Sequence, residues 1–392
     1  MRAVDVLVVG AGPVGLCLAR ALADTGLSVT LVELQPAAAL AEPAFDGREI
    51  ALTHASRQVL RALGLWERID AAQVSPLRSA RVMDGASPFA LGFAAGTENV
   101  DELGWLVPNH LIRRAAWEAV QGQAGLELVD GAKVTAIEPG DAANTVVLDD
   151  GRRLRARLVV AADSRFSATR RMMGIGARMR DFGKSMLVCR FGHEWPHQHA
   201  AWEWFGYGRT LAMLPLPGGQ CSAVITLPPQ GIQELMAMDD AALGQAVTGF
   251  FERRLGRMWP TGTRHVYPLV GVYAQRFAAH RYVLAGDAAV GMHPVTAHGF
   301  NFGLQSQQRL AGEIATAAAR GGDIGAPAVL ARYERGHRLA TRPLYEATNA
   351  IAALYNDSRL PARLLRGAAL RAAHGVAPFR KMIAAHLTQA RE

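Results

Sequence analysis

The hydrophobic pattern at the start of the chain changes its period twice. Residues 4–9 form a short apolar run, which is typical of a strand buried on both faces. Apolar residues then follow at helical spacing, with Val14 and Leu18 on one face, until Gly26 ends the pattern. Residues 28–33 read SVTLVE and predict a second strand. The pattern therefore predicts a β-α-β unit.

Two later segments also read as strands of this first sheet. Residues 145–148 and 153–161 flank an Asp-Asp-Gly sequence, which is typical of a tight hairpin turn. Residues 281–285 form another short apolar run and predict a buried strand. From about Gln305 onward the chain is rich in alanine and predicts helices.

A different pattern fills the segment between about residues 180 and 268. Tryptophans, tyrosines and Pro/Gly turns separate short apolar runs such as residues 210–214 and 222–227, which predicts a mostly antiparallel sheet. We therefore expect an α/β fold: a Rossmann-like domain, an inserted and mostly antiparallel β-sheet, and C-terminal helices.

Composition limits the class of protein. Half of the 392 residues are hydrophobic and 19% are charged, which excludes an intrinsically disordered chain. Cys17, Cys189 and Cys221 are far apart, which excludes a disulfide framework or a zinc ribbon and suits a reducing cytosol. Prolines and glycines interrupt the longest uncharged stretches, so we expect no transmembrane helix and a soluble, cytoplasmic protein.

The turn after the first strand carries a glycine pattern that suits a dinucleotide. In Gly10-Ala11-Gly12-Pro13-Val14-Gly15, the first glycine permits the turn, the second lets the backbone approach a pyrophosphate, and the third packs helix on strand. Glu33 ends the next strand, where a carboxylate can bind ribose hydroxyls. An ordinary strand-turn-helix with incidental glycines is the alternative. The pattern argues against a 2′-phosphate and leaves FAD and NAD open.

A second glycine and acid constellation favours the larger cofactor. Asp287 follows the strand predicted at residues 281–285, and Gly299, Asn301 and Gly303 precede the predicted helix. The backbone N–H groups of these last three residues could donate hydrogen bonds to an anionic ring edge. A cofactor that extends from a pyrophosphate site to a separate ring site needs both constellations, whereas a simple dehydrogenase does not. A loop with a helix cap is the alternative for this segment.

These motifs, in this order, resemble those of the flavoprotein aromatic hydroxylases. The segments concerned are DVLVVGAGPVGLCLARAL, VVAADSRFSATRR and YVLAGDAAVGMHP with GFNFG. The length and FDGREIALTHASRQVLRALGLWERI resemble the ubiquinone-biosynthesis hydroxylases of the UbiH/UbiF/UbiM group, and ADSRFS with HPVTAHGFNFG favours the UbiM branch. The resemblance covers nearly the whole chain.

The resemblance implies FAD as the cofactor and a role for each motif residue. Gly10, Gly12 and Gly15 would hold the pyrophosphate and Glu33 the adenosine ribose. The remaining residues that would meet FAD are Arg48, Asp163, Asp287, Gly299 and Asn301, while Pro294 would lie beside the reactive carbon of the flavin. Asp163 and Arg170 would form the family's Asp-Gly motif, which is implicated in NAD(P)H use.

Four departures from the family pattern bear on these roles. The Asp-Gly motif reads Asp163-Ser164, which makes direct use of NAD(P)H uncertain. The usual Ala-Gly-Gln-Gly beside the flavin reads Thr-Ala-His-Gly and ends at Gly299, and Ser306-Gln307 replaces the usual Asp-Ala in the next helix. Asn109-His110 replaces the Asn-Arg of many relatives.

The resemblance also implies a domain division. The expected FAD-binding domain is discontinuous and comprises residues 1–75, 103–178 and 270–345. Residues 76–102 and 179–269 would form the β-sheet substrate domain, and residues 346–392 a basic helical segment at the C-terminal end.

The implied reaction is hydroxylation of a prenylated phenol or quinol by O2 through a flavin C4a-hydroperoxide, with C5 of 5-demethoxyubiquinol as the expected position. A general base would make the phenol more reactive. The candidates are His298, which the resemblance places beside the ring, His293 and His54; a purely structural role is the alternative for each. A same-fold flavin reductase acting on an isoprenoid, a hydroxylase of another aromatic substrate and a non-catalytic flavoprotein in a biosynthetic complex remain alternatives.

Two surface features remain open. His193, His197 and His199 form an HxxxHxH pattern, but the intervening proline disfavours a metal site and we expect none. The aromatic residues between 195 and 207 could line a pocket or pack on a sheet face.

The net charge of +8 lies mostly at one end of the chain. Residues 358–392 carry seven Lys and Arg and a single Glu. A solvated helix face and a contact with an anionic membrane are both consistent with this distribution. The basic residues are not interleaved with aromatics in a nucleic-acid motif, so we expect no nucleic acid.

Overall fold

The chain alternates strands and helices in the order that an α/β fold requires. The computed structural model describes residues 2–85, 87, 90–94, 101–206, 208–293 and 298–356. The strands are β1 Arg2–Val9, β2 Val29–Val32, β3 Glu49–Leu52, β4 Ser75–Leu77, β5 Ser79–Asp84, β6 Ala90–Ala94, β7 Gly104–Pro108, β8 Leu126–Val129, β9 Val134–Glu138, β10 Asn144–Leu148, β11 Arg153–Ala161, β12 Ala177–His193, β13 Ala200–Phe205, β14 Thr210–Leu216, β15 Gln220–Leu227, β16 Met258–Pro260, β17 His265–Ala274, β18 Ala278–Ala279, β19 Tyr282–Leu284 and β20 Val290–Gly291. The α-helices are α1 Pro13–Ala21, α2 Ala37–Ala41, α3 His54–Ala62, α4 Asn109–Val120, α5 Ala168–Met172, α6 Pro229–Ala237, α7 Asp240–Phe250, α8 Gly299–Ala319 and α9 Pro327–Asn356.

The first sheet contains the predicted β-α-β unit. Its strand order is β18-β19-β11-β1-β2-β8, and β10 and β9 continue from β11 as antiparallel neighbours. β1 runs parallel to both β2 and β11, which brings the ends of these strands to one edge. Val6, Leu7 and Val8 are fully buried, as is typical of a parallel sheet that is covered on both faces. The sequence prediction of two strands around a helix, and of the hairpin between β10 and β11, is confirmed.

A chain of buried hydroxyl groups connects this sheet to helices α8 and α9. The Gly286 backbone N–H donates to Ser306 Oγ at 3.1 Å. The Ser306 and Tyr333 hydroxyls are 2.7 Å apart, and Tyr333 donates to the Leu284 carbonyl at 2.7 Å. A neutral hydroxyl suits position 306 because Tyr333 and Ser306 are almost completely buried.

The second sheet is mostly antiparallel, as predicted. Its order is β20-β17-β12-β15-β14-β13-β5-β6, with β16 on β12; β13 and β5 pair in parallel. One face packs against α6 and α7, through residues such as Ile225, Leu243 and Phe251. These two helices differ from the prediction, because the Pro/Gly turns and short apolar runs of this segment had indicated strands only. The other face is turned toward the first sheet.

Three details differ from the predicted boundaries or extend them. α8 begins at Gly299 rather than near Gln305, so Asn301 lies in its first turn. β12 and β17 run through the predicted domain boundaries near residues 178 and 269, and the domain division itself stays a prediction. A small third sheet has the order β3-β7-β4.

Within the described ranges, the helices are too short or too polar to cross a membrane.

The hydroxyl chain predicts a stability difference. Tyr333→Phe leaves the Leu284 carbonyl and the Ser306 hydroxyl short of a partner in the core, so we expect it to lower the free energy of unfolding by about 1–3 kcal/mol in urea titrations. Ser306→Ala removes the next bond of the same chain. In the double variant the two losses should be less than additive; strictly additive losses would show that the hydroxyls act independently.

Candidate active site

A large cavity lies between the first sheet and the free face of the second. Its volume is about 1020 Å³, at the top of the range of roughly 300–1,000 Å³ common for ligand sites. Seven of the nine predicted cofactor-binding residues line it: Gly10, Gly12, Glu33, Arg48, Asp163, Asp287 and Gly299. The fold therefore brings together both glycine and acid constellations, which are far apart in the sequence.

Each glycine of the first turn is required for a different physical reason. Gly10 has a φ of +102°, and a Cβ there would lie 2.6 Å from the Ala162 carbonyl oxygen. A Cβ on Gly15 would overlap the Gly10 carbonyl oxygen, so Gly15 is a packing residue beneath the turn and does not line the cavity. At Gly12 a Cβ would meet nothing within 4 Å. Gly12 thus keeps space open before the N-terminus of α1, where backbone N–H groups favour an anion.

Glu33 lies at the end of β2, as predicted, and its carboxylate is tied to the turn. Its Oε2 accepts a hydrogen bond from the Ala11 backbone N–H at 2.7 Å, and its Oε1 accepts from the Gln35 N–H at 2.9 Å. These bonds hold the carboxylate at the rim of the cavity.

The segment after β11 presents an acceptor to the same space. Asp163 Oδ2 accepts from the Thr169 backbone N–H at 3.1 Å and from its hydroxyl at 2.9 Å. Its Oδ1 is buried, and no bonding partner for it is found in the part of the chain that the structure describes. Arg170 is almost fully buried and donates to the Ala288 carbonyl at 2.8 Å, and burial lowers the pKa of its guanidinium. Arg170 therefore braces the segment from behind.

Asp287 and Arg48 each have an ionic partner. Asp287 Oδ2 accepts from Arg165 Nη2 at 2.9 Å in the turn that follows β19. Arg48 Nη2 lies 2.6 Å from Asp46 Oδ2, and its guanidinium is 5.4 Å from the centre of the Tyr267 ring. The Arg48 salt bridge lowers the pKa of Asp46, although burial of that carboxyl opposes the shift more strongly than any single contact favours it.

Asn301 and His298 do not line the cavity. Asn301 donates from Nδ2 to the Ala51 carbonyl at 2.8 Å and accepts from the Thr53 N–H at 3.1 Å, so its side chain joins α8 to β3. His298 is buried at the start of α8, with its ring centre 6.0 Å from that of Phe302, and is not part of the wall. Pro294 lies outside the described residues.

The other two histidine candidates have different surroundings. His293 lines the cavity, and burial together with Lys184 and Arg180 lowers its pKa to about 4, so its ring is neutral near pH 7. His54 Nε2 is 2.8 Å from the Glu102 carbonyl oxygen, and its ring packs on Trp105. The structure thus places His293, rather than His298, on the wall.

The HxxxHxH histidines pack on one another with ring centres 5.3 and 5.5 Å apart. His193 Nδ1 contacts the Trp195 carbonyl at 2.8 Å and His197 Nε2 the Leu216 carbonyl at 3.0 Å. In the described residues, no group of three or more His, Cys, Asp or Glu side chains is arranged to hold a metal ion.

Two polar features of the wall were missed by the sequence analysis. Glu49 is a wall residue whose Oε1 lies 2.6 Å from Arg190 Nη2; burial raises its pKa more than this salt bridge lowers it. Glu203 projects from β13 into the same cavity, next to Phe205. Residues alternate between the two faces of β13, and this alternation separates Glu203 and Phe205 from Trp204, which packs on the other face.

Comparison with known proteins gives the family. The family described as FAD binding domain matches residues 3–347. Ubiquinone hydroxylase UbiM of Neisseria meningitidis is 45% identical over 98% of this chain and 84% of its own length. The chain belongs to the FAD-dependent ubiquinone hydroxylases. This confirms the predicted family and, with it, FAD as the cofactor.

Two further similarities are consistent with this assignment. The 3-demethoxyubiquinol 3-hydroxylase of Escherichia coli K12 is 28% identical over 94% of each chain. The structure of p-nitrophenol 4-monooxygenase PnpA from Pseudomonas putida DLL-E4 superposes with a TM-score of 0.80 at 18% identity and covers all of both chains. The latter shows the fold alone and confirms the predicted α/β architecture.

The open space at Gly12 predicts a separation of folding from cofactor binding. Gly12→Ala adds a methyl group that meets no protein atom, so the apoprotein should unfold at the wild-type urea concentration. The same methyl group occupies the approach to the turn, so FAD binding should weaken by at least tenfold. Gly15→Ala is the matched control and should destabilise the apoprotein by about 1–3 kcal/mol through overpacking. Wild-type FAD affinity in Gly12→Ala would contradict the assignment of this turn.

The departure at Ser164 predicts a gain in stability. Ser164 has a φ of +76°, a left-handed conformation that strains a residue with a side chain. Ser164→Gly should therefore raise the free energy of unfolding by up to about 1 kcal/mol, measured by urea titration. Ser164→Ala keeps the Cβ and should give no such gain. An equal gain in both variants would mean that the hydroxyl, and not the backbone, is responsible.

Proposed function

We propose that this protein uses FAD and O2 to hydroxylate the aromatic ring of a prenylated phenol or quinol in ubiquinone biosynthesis. The supporting observation is that one cavity joins a dinucleotide turn to an apolar sheet face. The end of the cavity at the dinucleotide turn suits the diphosphate and ribose of FAD, and the end at the apolar sheet face suits the hydrophobic ring and tail of a substrate. The relatives named for ubiquinone hydroxylation support the same substrate class.

The described residues fit FAD in three respects. Gly12 leaves room for a pyrophosphate before α1, and Gly10 permits the turn itself. Asp163 offers a buried oxygen that lacks a donor among the described side chains and backbone groups. We assign Glu33 to the ribose end and Arg48, Asp287 and Gly299 to the remainder of the cofactor, on the same wall.

Bound FAD would supply the activation of O2 and the transfer of one oxygen atom. The chain's own contribution is a dry and shaped space beside it. Phe205 on β13 stacks on Tyr355 near the end of α9, with ring centres 3.6 Å apart, so the helix covers the apolar end of the cavity. Exclusion of water prevents loss of the activated oxygen to solvent.

Several finer assignments extend this proposal. The substrate position is C5 of 5-demethoxyubiquinol, and NAD(P)H is the reductant. Pro294 and His298 are the residues proposed beside the flavin from the sequence resemblance. The basic segment 358–392, outside the described residues, contacts an anionic membrane surface, which would bring the enzyme to a substrate with a prenyl tail. Membership of a ubiquinone-biosynthesis complex is part of the same proposal.

An isotope experiment tests this function. Purified holoprotein is incubated with NADH, 5-demethoxyubiquinol carrying a short prenyl tail, and ¹⁸O-labelled O2. We expect one labelled oxygen atom in the ring of the product, identified by mass spectrometry. Gly12→Ala should form less product, because its affinity for FAD should be at least tenfold lower. Reduction of the prenyl tail without uptake of O2 would instead establish the same-fold reductase.

A deletion strain gives the substrate in the cell. Loss of the gene should cause demethoxyubiquinone to accumulate in lipid extracts, and restoration of the wild-type gene should remove it. Accumulation of a different precursor would reassign the ring position, and unchanged ubiquinone would contradict the pathway.

A further inference from the structure

Glu203 is a carboxylic acid in the apolar part of the cavity. It lies in the middle of β13, paired with Ala212 on β14 and with Val82 on β5. Because side chains alternate along a strand, Glu203 and Phe205 share the cavity face, while Trp204 packs into the core behind the sheet. The strand pairing therefore fixes the direction in which this carboxyl projects.

The Glu203 carboxyl differs from the other acids of the wall in its contacts. Among the described residues, none forms a hydrogen bond or ion pair with it. The other four acidic residues of the wall are engaged by a backbone N–H, a hydroxyl or an arginine: Glu33, Glu49, Asp163 and Asp287. Glu203 is half-buried, and an acid that is partly removed from water without gaining a donor is costly to the fold. Such a group is consistent with a role toward a bound molecule.

The surroundings of Glu203 change its acidity. Its neighbours on the wall, Phe205, Ala212 and Leu214, are apolar, and burial raises its pKa to about 8. The ionisable groups that face the same space from other elements are Tyr267 on β17, Tyr355 on α9, His293 and the Glu49–Arg190 pair. Asp84 on β5 is paired in register with Phe205. Burial is the cause of the shift, without a charged neighbour that contributes.

We propose that Glu203 receives the hydrogen bond of the substrate's phenolic hydroxyl and takes its proton during hydroxylation. This rests on the proposed function. A prenylated phenol is apolar apart from its oxygen atoms, and a phenol O–H in this part of the cavity needs an acceptor. Glu203 supplies the acceptor on a wall that otherwise suits a hydrocarbon. The sequence analysis sought this base among the histidines.

The proton transfer balances within the substrate and the carboxyl. The phenolic O–H bond breaks, an O–H bond to the Glu203 carboxylate forms, and the electron pair moves into the ring, which then attacks the activated oxygen. When the ring carbon releases its hydrogen as a proton to the medium, the ring oxygen takes the proton back from Glu203. The carboxylate is thereby restored. O2 and NAD(P)H of the proposed reaction supply the oxidant and the reductant.

The acidity of Glu203 gives this role a pH signature. Below pH 8 the carboxyl is mostly protonated and can only accept or donate a hydrogen bond, and above pH 8 it can take a proton. A base with a raised pKa is also better matched to a phenol, whose pKa is near 10. The rate of hydroxylation should therefore rise with pH through about 8 in the wild-type protein.

The experiment uses the holoenzyme and two substitutions of this one residue. Glu203→Gln keeps an acceptor of the same shape but cannot take a proton, and Glu203→Leu removes both properties. Glu234→Gln, on the exposed side of α6, is the control for loss of one negative charge. Unfolding curves in urea check that all three variants fold.

Binding is measured first, because it needs no turnover. Calorimetry compares 2-geranylphenol with its O-methyl ether, 2-geranylanisole. The wild type should prefer the phenol by about fivefold, the value of one hydrogen bond, and so should Glu203→Gln and Glu234→Gln. Glu203→Leu should lose the preference. A preference retained in Glu203→Leu overturns the proposal, whether or not the enzyme hydroxylates its substrate.

Turnover of the demethoxyubiquinol substrate is measured next across pH 6 to 10. Glu203→Gln should form product about 100-fold more slowly and lose the rise through pH 8, while Glu234→Gln keeps both the rate and the rise. A wild-type rate and profile in Glu203→Gln overturns the proton transfer. If the wild type forms no hydroxylated product at all, the proposed function fails, and the proton transfer fails with it, whereas the binding comparison still decides the hydrogen bond.

Discussion

The close approach of backbone segments at the edge of the parallel sheet is the constraint on which the site depends. β1 ends at the turn of Gly10, whose Cα lies against the Ala162 carbonyl at the end of β11. One turn later, Val14 on α1 is wedged against Gly286, after β19, and Gly303, on α8. Side chains at these glycines would push apart three strand ends and the starts of two helices, so this contact holds the two cofactor constellations together.

The second sheet turns this edge into a closed space. Helices α6 and α7 cover its rear face, so the apolar residues of that face are buried in a hydrophobic core between the sheet and these helices. Its front face lines the cavity and meets the end of α9, where Phe205 stacks on Tyr355. An apolar face left in this way is a stable part of the fold only if it is occupied or covered. The substrate site is therefore a consequence of how the two sheets share their surfaces.

The sequence was sufficient for the features that depend on local chain geometry. One short segment contains the β-α-β unit, the turn of Gly10 and Gly12 and the acid at Glu33. Their relative positions could therefore be predicted from the spacing of residues along the sequence. The sequence did not show the side-chain contacts of Asn301, because these depend on where α8 begins and on how the helix packs against β3. Glu203 was also missed, since which face of β13 points to the cavity depends on pairing with β14 and β5, and period-two patterns do not specify that.

Two glutamates on the cavity wall show that the presence of an ionic partner, rather than the residue type, decides the role of a carboxyl group. Glu49 is completely buried and faces Arg190, yet burial still raises its pKa, because removing a carboxylate from water costs more than one salt bridge returns. Arg190 nevertheless holds the Glu49 carboxyl in one position, which makes it a structural group. The surroundings also desolvate Glu203, which has no arginine beside it, so none of the described residues stabilises its charge. The free energy that stabilises this charge must come from whatever enters the cavity, and that dependence is what distinguishes a group that acts on a substrate from one that supports the fold.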